Sequence, residues 1–360
     1  MLNLGKLKIK RAHKKSDKLI NSEVKGWYNN LVVKRKLTKA QKEEIRDFFF
    51  QLTGKEISLV SHEYFYSRTG VYSKEYIPKD LYINDIQPKA NNIGLAKLFG
   101  DKNMADILLP KQSQPRSILK NIDGCFYFDG EPVTKDVAIE KCKDIGDAII
   151  KPSGMSQGKG VKKIFVKNGN VNGQEPFASL VQSYGKDFII QEVVRQHRDM
   201  SSLNPTSVNT IRILTYRSDN NEVLHIYSVV RIGKKGSVID NQCAGGISTV
   251  VGDDGRLGKY AFGGYAEDNV TQTDTGVILG DFIVPSYDKA LDFVKDLHLR
   301  LPFFRLIGWD VAIGEKGNPV LIEFNTRPQL SQSAFGPGFG KYTERIIREV
   351  WNNKNTKFAY

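Results

Sequence analysis

The chain has 360 residues, 40 % of them hydrophobic and 10 % aromatic, which is enough for two or three lobes with well-filled cores. It lacks the apolar run of about 18 residues that a membrane span needs, the apolar core of a secretory signal, and any CxxC or HExxH motif. We therefore expect a cytoplasmic protein, without a disulfide scaffold or a cysteine-based zinc site.

The net charge of +13 is concentrated near the N-terminus. Residues 1–60 hold 15 Lys and Arg against 6 Asp and Glu. This segment could meet an anionic membrane surface, which would make the protein peripheral at the inner membrane face, or an acidic partner. Its first 36 residues are polar and poorly periodic, so we expect a solvated, partly disordered tail. Nucleic acid is an unfavoured partner, because no RNA-binding aromatic signature or recognition-helix motif is present.

The next segment is predicted to be helical and aromatic-rich. Thr38 and Gln41 form a capping-box pattern, and Gly54 stops the run that follows, so a helix is expected over 39–53. Residues 61–98 are rich in aromatics and irregular, which indicates short packed elements. Asp101 then opens a short helix that ends near Pro110.

A strand, a glycine-rich loop and a return strand follow over 148–166. The loop 153–160 contains three glycines, and glycine lets backbone N–H groups approach a phosphate closely. It matches neither GxxxxGK[ST] nor GxGxxG, and flexible hairpin loops are common. Lys151 at its base favours phosphate binding, because a lysine there can meet a phosphate as a point charge. A further strand is expected over 187–194.

Two arginines lie in apolar strands of the C-terminal half. Strands are predicted over 209–216 and 223–231, and they contain Arg212 and Arg231. Each arginine is explained either by a buried ion pair or a snorkelled position at a sheet edge, or by recognition of a phosphate or carboxylate. After these strands, a helix over 287–299 is predicted, with Ser286 as its cap, and an amphipathic helix closes the chain.

A hairpin near the C-terminus carries three oxygen donors. If Lys316 and Gly317 form a two-residue turn, Asp310 lies directly opposite Glu323, and Asn325 follows on the same face. Converging carboxylate and amide oxygens suit Mg²⁺. The alternatives are a solvated sheet edge or an acid paired with Arg327, and a slip of one residue would move Asp310 to the other face.

In this order, the motifs resemble those of the ATP-grasp superfamily, and most closely its sugar-transfer-associated branch. The resemblance covers roughly residues 38–350. It is carried by the following segments: Tyr76-Ile-Pro78, Asp101-Lys102, Ile150-Lys-Pro-Ser153, Gln191-Glu192, Val208-Asn-Thr-Ile-Arg212, Asp240-Asn241 with Gly245-Gly246, Gly308-Trp-Asp310 and Ile322-Glu-Phe-Asn325.

The resemblance implies an α+β ATP-grasp fold, in which two lobes with mostly antiparallel sheets clasp ATP, plus a helical or irregular N-terminal region. The expected divisions are a basic segment 1–37, a helical and aromatic-rich region 38–110, a small lobe 111–194 with the phosphate lid, and a large lobe 195–360 with the metal site.

The resemblance also implies residue roles. Lys102 and Lys151 would hold phosphates, under a lid that includes Ser153, Ser156 and Gly158. Gln191 or Glu192 would face the adenine amino group, with the backbone of Val194 beside it. The ribose candidates are Gln196, His197 and Asp199. One or two Mg²⁺ ions, replaceable by Mn²⁺, would bind Asp310, Glu323 and Asn325. Arg212 and Arg231 would stabilise charge during the reaction.

The function implied is an ATP-dependent carboxylate–amine ligase that works through an acylphosphate, in cell-surface polysaccharide biosynthesis. Its partners would be ATP and a small carboxylate or sugar-linked substrate. One alternative is a kinase-like ATP-grasp phosphotransferase that acts on a sugar or small molecule. Another is a non-catalytic nucleotide-binding scaffold at the membrane surface.

Overall fold

A computed structural model describes residues 2–155, 158–234, 236–237, 240, 245–263 and 269–352, with side chains from residue 11 onward. The helices are α1 (Leu2–Asn30), α2 (Lys39–Thr53), α3 (Val60–Thr69), α4 (Lys79–Leu81), α5 (Gln87–Ala90), α6 (Ile93–Phe99), α7 (Ala105–Leu108), α8 (Lys135–Lys141), α9 (Phe177–Tyr184), α10 (Arg198–Leu203), α11 (Tyr287–Leu299) and α12 (Thr343–Asn352). A π-helical turn, Tyr82–Ile86, joins α4 to α5.

The strands fall into two antiparallel sheets. They are β1 (Ser117–Ile122), β2 (Cys125–Phe128), β3 (Glu131–Val133), β4 (Gly146–Pro152), β5 (Lys162–Lys167), β6 (Asn170–Val171), β7 (Glu175–Pro176), β8 (Phe188–Glu192), β9 (Thr210–Arg217), β10 (Val223–Ile232), β11 (Ile247–Val251), β12 (Leu306–Ile313) and β13 (Pro319–Asn325). The first sheet has the order β3-β2-β1-β8-β4-β5-β6-β7, and the second has the order β11-β10-β9-β12-β13. This is the mixed α+β architecture with antiparallel sheets that the sequence predicts.

The second sheet is covered on both faces. On one face Trp309 and its neighbours pack against α11, whose Ala290, Val294 and Leu297 are buried as predicted. On the other face an apolar half contacts α2 and α12 through Phe49, Ile346 and the residues around them. The remaining part of that second face is polar, and it carries the candidate site.

The expectation of a disordered N-terminal tail is wrong. Residues 2–30 form the single helix α1, which packs on α3 and α4. Val24 and Tyr28 are buried, and the Asn21 side chain donates to Asp80 at 2.7 Å. These anchors are widely spaced and mostly polar, so they produce little apolar periodicity in the sequence. The region 61–98 is likewise more regular than expected, because α3 to α6 occupy most of it.

Local signals for helix ends were correct at one helix and wrong at another. Thr38 and Gln41 form the predicted capping box of α2, and Gly54 ends it in the left-handed conformation with φ 66°. Ser286 precedes α11 as predicted, but it has φ 54° and its side chain makes no capping hydrogen bond. In the described residues, no helix combines the length and apolar character needed to cross a membrane.

Candidate functional site

Three charged residues form a row across the polar part of the second sheet. Arg212 on β9 lies opposite Asp310 on β12, and Asp310 lies opposite Glu323 on β13. Directly opposite residues of antiparallel strands share a face, so all three lie on one side of the sheet. Asn325, two residues beyond Glu323, follows on that side.

The predicted pairing of Asp310 with Glu323 is confirmed, but the predicted turn is wrong. The turn spans Gly314 to Gly317, with Gly317 left-handed at φ 78°, so Ile313 pairs with Pro319. This register is one residue away from the predicted one. An irregularity at Ile322, between the pairs Val311–Leu321 and Asp310–Glu323, restores the predicted register. A β-bulge of this kind re-aims the side chains beyond it.

Asp310 is neutralised by two arginines. Its side chain is 6 % exposed and accepts from Arg212 Nε and, at 2.7 Å, from Arg212 Nη2; Arg231 Nη1 donates to the same carboxylate at 3.2 Å. Burial opposes ionisation of Asp310, but the two guanidinium groups lower its pKa below the ordinary value. Both arginines are therefore held by the buried ion pair that the sequence offered as one explanation.

A second charged cluster lies in the cleft between the two sheets. Lys151 from β4, Lys102 from the turn after α6, and Glu323 line this cleft. The Lys102 Nζ lies 3.8 Å from a Glu323 oxygen. Lys151 is only 9 % exposed, and its ammonium has no hydrogen-bond partner among the described residues. Burial lowers the pKa of Lys151 to about 8; Glu323 raises it and Lys102 lowers it further.

The base of the glycine-rich loop is fastened to the turn that carries Lys102. The carbonyl of Ser153 accepts from Lys102 N at 3.2 Å and from Lys102 Nζ at 3.3 Å, and the Ser153 hydroxyl donates to Asp101 at 2.9 Å. Gly160 has φ 73°, and a Cβ there would lie 2.8 Å from Pro152, so this position requires glycine. The loop therefore starts and ends at fixed points beside the two lysines.

The structure describes two of the three loop residues predicted to bind phosphate, and these two lie in different environments. The Ser153 hydroxyl is buried against Asp101, so only its carbonyl reaches the lysine cluster. Gly158 is left-handed with φ 71°, and its carbonyl accepts from Val161 N. Ser156 lies outside the described residues.

The residues predicted around adenine and ribose are not all in one place. Gln191 is buried and lines the cleft, where its amide donates to Pro115 O at 3.3 Å. Glu192 is exposed and accepts from Arg116 at 3.1 Å. Val194 is half-buried. His197 lines a different cavity, of ≈ 590 Å³, together with Gln196.

The donor set fits Mg²⁺ in part. Among the described residues, Glu323 makes one ion pair, the 3.8 Å contact with the Lys102 ammonium, and the buried amide nitrogen of Asn325 has no hydrogen-bond partner. Both side chains can supply oxygen ligands. Asp310 has both carboxylate oxygens engaged by arginines. The described residues contain no cluster of three or more His, Cys, Asp or Glu arranged for a metal.

Two polar residues of the cleft were missed by the sequence reasoning. Gln114 lines the cleft, and its amide nitrogen is buried without a hydrogen-bond partner among the described residues. Asp101 also lines it and accepts from the Ser153 hydroxyl. Asp101 belongs to the segment Asp101-Lys102 that carries part of the family resemblance, which was a usable signal. Nothing in the sequence marks Gln114, which stands 77 residues before Gln191 and reaches the same cleft through the pairing of β1 with β8.

Comparison with known proteins gives one strong match. A family model described as sugar-transfer-associated ATP-grasp matches residues 84–346, about three quarters of the chain. No curated protein sequence gives a significant match.

Solved structures with a similar fold were also found. The biotin carboxylase domain of 2-oxoglutarate carboxylase from Hydrogenobacter thermophilus is 15 % identical, with a TM-score of 0.41, over 71 % of this chain and 46 % of that one. D-alanine–D-alanine ligase from Bacillus anthracis is 13 % identical, with a TM-score of 0.40, over 70 % and 66 %. VanG D-Ala:D-Ser ligase from Enterococcus faecalis is 12 % identical, with a TM-score of 0.42, over 70 % and 61 %. The chain spans about half the length of the biotin carboxylase structures it matches.

Proposed function

We propose a function from one premise: the chain belongs to the sugar-transfer-associated ATP-grasp family. The protein is an ATP- and Mg²⁺-dependent ligase that activates a carboxylate as an acylphosphate and passes the acyl group to an amine or similar acceptor. The observation that carries the proposal is the convergence of Lys102, Lys151 and Glu323 in the cleft between the two sheets. Two cations and one weakly engaged carboxylate in a narrow cleft suit a metal-bound polyphosphate.

Nucleotide entry requires the cleft to widen. Its free volume is ≈ 20 Å³, whereas ligand pockets typically measure about 300–1,000 Å³. The Lys102–Glu323 contact at 3.8 Å is the ionic link across it that must break. Lys102, whose ammonium also donates to the Ser153 and Met155 carbonyls, then turns towards a phosphate, and Glu323 turns towards a cation, so ATP and Mg²⁺ favour the same opening.

The lysines supply the binding charge. Lys151 is 9 % exposed, and its ammonium has no hydrogen-bond partner among the described residues; the cost of burying this charge is offset when a phosphate oxygen accepts from it. Gln191 and Gln114 present amide groups to the same cleft and are the side chains we assign to the adenine edge. The loop 153–160, anchored at Ser153 and Gly160, closes over the phosphates.

The chemistry follows from the poor reactivity of a carboxylate. One of its oxygens attacks the γ-phosphorus of ATP, the bond to the β-phosphate oxygen breaks, and ADP leaves. The acceptor nitrogen then attacks the carbonyl carbon, loses a proton, and phosphate leaves. Arg231 contacts Asp310 through one nitrogen and is 22 % exposed, so it can donate to the tetrahedral oxyanion. Arg212 holds Asp310 and thereby fixes the position of Arg231.

Magnesium, when bound, neutralises charge on the phosphoryl group during transfer. Glu323 and Asn325 would hold it, since their oxygens are the least engaged of the predicted ligand set. Asp310 joins that set only if its arginines turn to the substrate. Mn²⁺ is expected to substitute, because it accepts the same oxygen ligands.

The substrate class and location extend the proposal. We propose a sugar-linked or small carboxylate substrate, in the assembly of cell-surface polysaccharide, on the basis of the family description. We place the reaction in the cytoplasm, because three widely spaced cysteines are typical of a reducing compartment.

The test measures ADP and phosphate release over panels of amino acids, uronic acids and amino sugars. We expect release only when a carboxylate and an acceptor are both present, with a loss of at least about 100-fold in Glu323→Gln. The exposed Glu175→Gln is the matched control and should retain full activity.

Other outcomes separate the alternatives. AMP and pyrophosphate as products would overturn the proposal. A stable phosphorylated product without an acceptor would identify a kinase-like phosphotransferase. A biological effect that survives both Glu323→Gln and Lys151→Ala would identify a non-catalytic scaffold.

A further inference from the structure

Among its described side chains, helix α1 is held to the protein along one side. If Arg11 is placed at 0° and each residue adds about 100° around the helix axis, the anchoring residues all lie between about 140° and 280°. They are Ser16, Asp17, Asn21, Val24 and Tyr28. Val24 and Tyr28 are buried, and the polar members bond to α4 and the π-helical turn: Ser16 to Asn84 at 3.0 Å, Asp17 to Asn84 at 2.7 Å, and Asn21 to Asp80 at 2.7 Å. The rotation of α1 about its axis is therefore fixed.

Among the described side chains of α1, every charged residue on the outward side of the helix is basic. A sector of about 100°, from 300° through 0° to 40°, contains the uncharged Ser22 and Asn29 and five exposed basic residues: Arg11, Lys14, Lys15, Lys18 and Lys25. We call it the cationic face. The two described acids of α1 lie outside it and are engaged elsewhere. Asp17 points to Asn84, and Glu23 accepts from Lys79 at 2.8 Å.

The five cations are not balanced within the protein. Among the described residues, none of them makes an ion pair or a hydrogen bond through its side chain, whereas Lys79 on the neighbouring helix pairs with Glu23. Like charges one turn apart destabilise a helix. A cationic stripe that is rigidly presented and unpaired is suited to an anion outside the chain.

Exposed aliphatic side chains accompany the charges. Leu19 flanks the cationic face at about 80° and is 63 % exposed, and Val32, just beyond the helix, is 101 % exposed. Aliphatic side chains beside a basic helix face are suited to the interfacial zone of a bilayer. A nucleic-acid backbone offers them no comparable partner.

We propose that the cationic face of α1 docks the protein on a bilayer that contains anionic lipids. The helix is about 43 Å long at 1.5 Å per residue, so it lies along the surface. Each basic residue near an anionic surface contributes about fivefold to the partition coefficient. Docking would bring the catalytic cleft to a substrate carried on a lipid, but it does not depend on the ligase reaction.

The test is co-sedimentation of the full chain with vesicles of phosphatidylcholine, with or without about one third phosphatidylglycerol. We expect binding only to the anionic vesicles, and its loss when salt is raised from about 0.1 M to about 1 M, which shortens the Debye length from about 10 Å to about 3 Å. The triple variant Lys14→Gln, Lys15→Gln, Lys18→Gln should bind about 100-fold more weakly.

The matched control removes the same charge elsewhere. The substitutions Lys135→Gln, Lys141→Gln and Lys143→Gln change three exposed lysines at and just beyond α8 in the small lobe, and they should leave vesicle binding unchanged. Circular dichroism checks that both variants keep their helices. Equal losses in the two variants, or an α1 variant that binds like the parent, would overturn the proposal. So would binding to an RNA homopolymer, but not to the vesicles, that depends on the same three lysines.

Discussion

Two clusters of charge lie next to each other at the cleft, and they differ in how their charges are satisfied. In the first, on the second sheet, both oxygens of Asp310 accept from arginines, so the charge of this carboxylate is fully compensated by Arg212 and Arg231. In the second, Lys151 has no partner among the described residues, and Lys102 meets Glu323 only at 3.8 Å. The first cluster resembles a structural ion pair, whereas the loosely paired charges of the second cluster can still bind a ligand.

The pKa values express the same difference. The arginines lower the pKa of Asp310 despite its burial, so its charged form is stabilised by folding. Burial lowers the pKa of Lys151 to about 8, so its charged form is destabilised by folding. Groups with strongly shifted pKa values cluster at functional sites, so this comparison supports the ligand site that we propose at the lysine cluster.

The largest expected effect tests the structural pair. Arg212→Met leaves Asp310 buried with a single arginine and should lower the free energy of unfolding by about 3–5 kcal/mol in urea titration. Removing both partners, in Arg212→Met with Asp310→Leu, should recover much of that loss. Lys102→Met, which removes the looser contact with Glu323 and the hydrogen bonds of the Lys102 ammonium to the Ser153 and Met155 carbonyls, should cost less, about 1–2 kcal/mol. Equal losses of unfolding free energy in Arg212→Met and Lys102→Met would contradict the distinction between the two clusters.

The second prediction concerns Lys151, where stability and binding should move in opposite directions. Lys151→Met should weaken ATP binding about 100-fold in calorimetry, because a charge-assisted contact is lost. It should also stabilise the protein by about 3 kcal/mol at pH 7, since the folded state no longer carries an ammonium whose pKa is lowered from 10.5 to about 8. The exposed Lys167→Met serves as the control. A destabilised Lys151→Met protein would contradict the assignment.

The smallest effect is a pH dependence. Because Lys151 loses its proton near pH 8 in the free protein, ATP affinity should fall about tenfold between pH 7 and pH 9. The free energy of unfolding should rise as pH rises from about 8 towards 10.5, because over that window the unfolded chain still binds the Lys151 proton that the folded protein has lost. Lys151→Arg keeps its charge and should remove the slope in ATP affinity. An unchanged slope in that variant would assign the titration to another group.

The local pattern of this sequence predicted much of the fold. Helix α2 was predicted from its cap residues, the strands around Lys151 and Arg212 from their apolar runs, and α11 from the spacing of its apolar residues. Helix α1 was missed, because it is anchored by polar contacts to Asp80 and Asn84 that no periodicity reveals. The hairpin turn was misplaced by one residue, and the bulge at Ile322 that compensates for it leaves no mark in the sequence.

Within the candidate site, the sequence alone determined the chemistry that is available: lysines beside a glycine loop, arginines in apolar strands, and the pair Glu323 and Asn325 on one face. The tertiary structure decided how these charges are used. Asp310 could have been a free ligand or an ion-pair partner, and only the position of β9 beside β12, with β10 on the far side of β9, placed two guanidinium groups on it. Lys151 became a buried, unsatisfied cation only because two sheets close over it, since solvation depends on the whole fold and not on neighbouring residues.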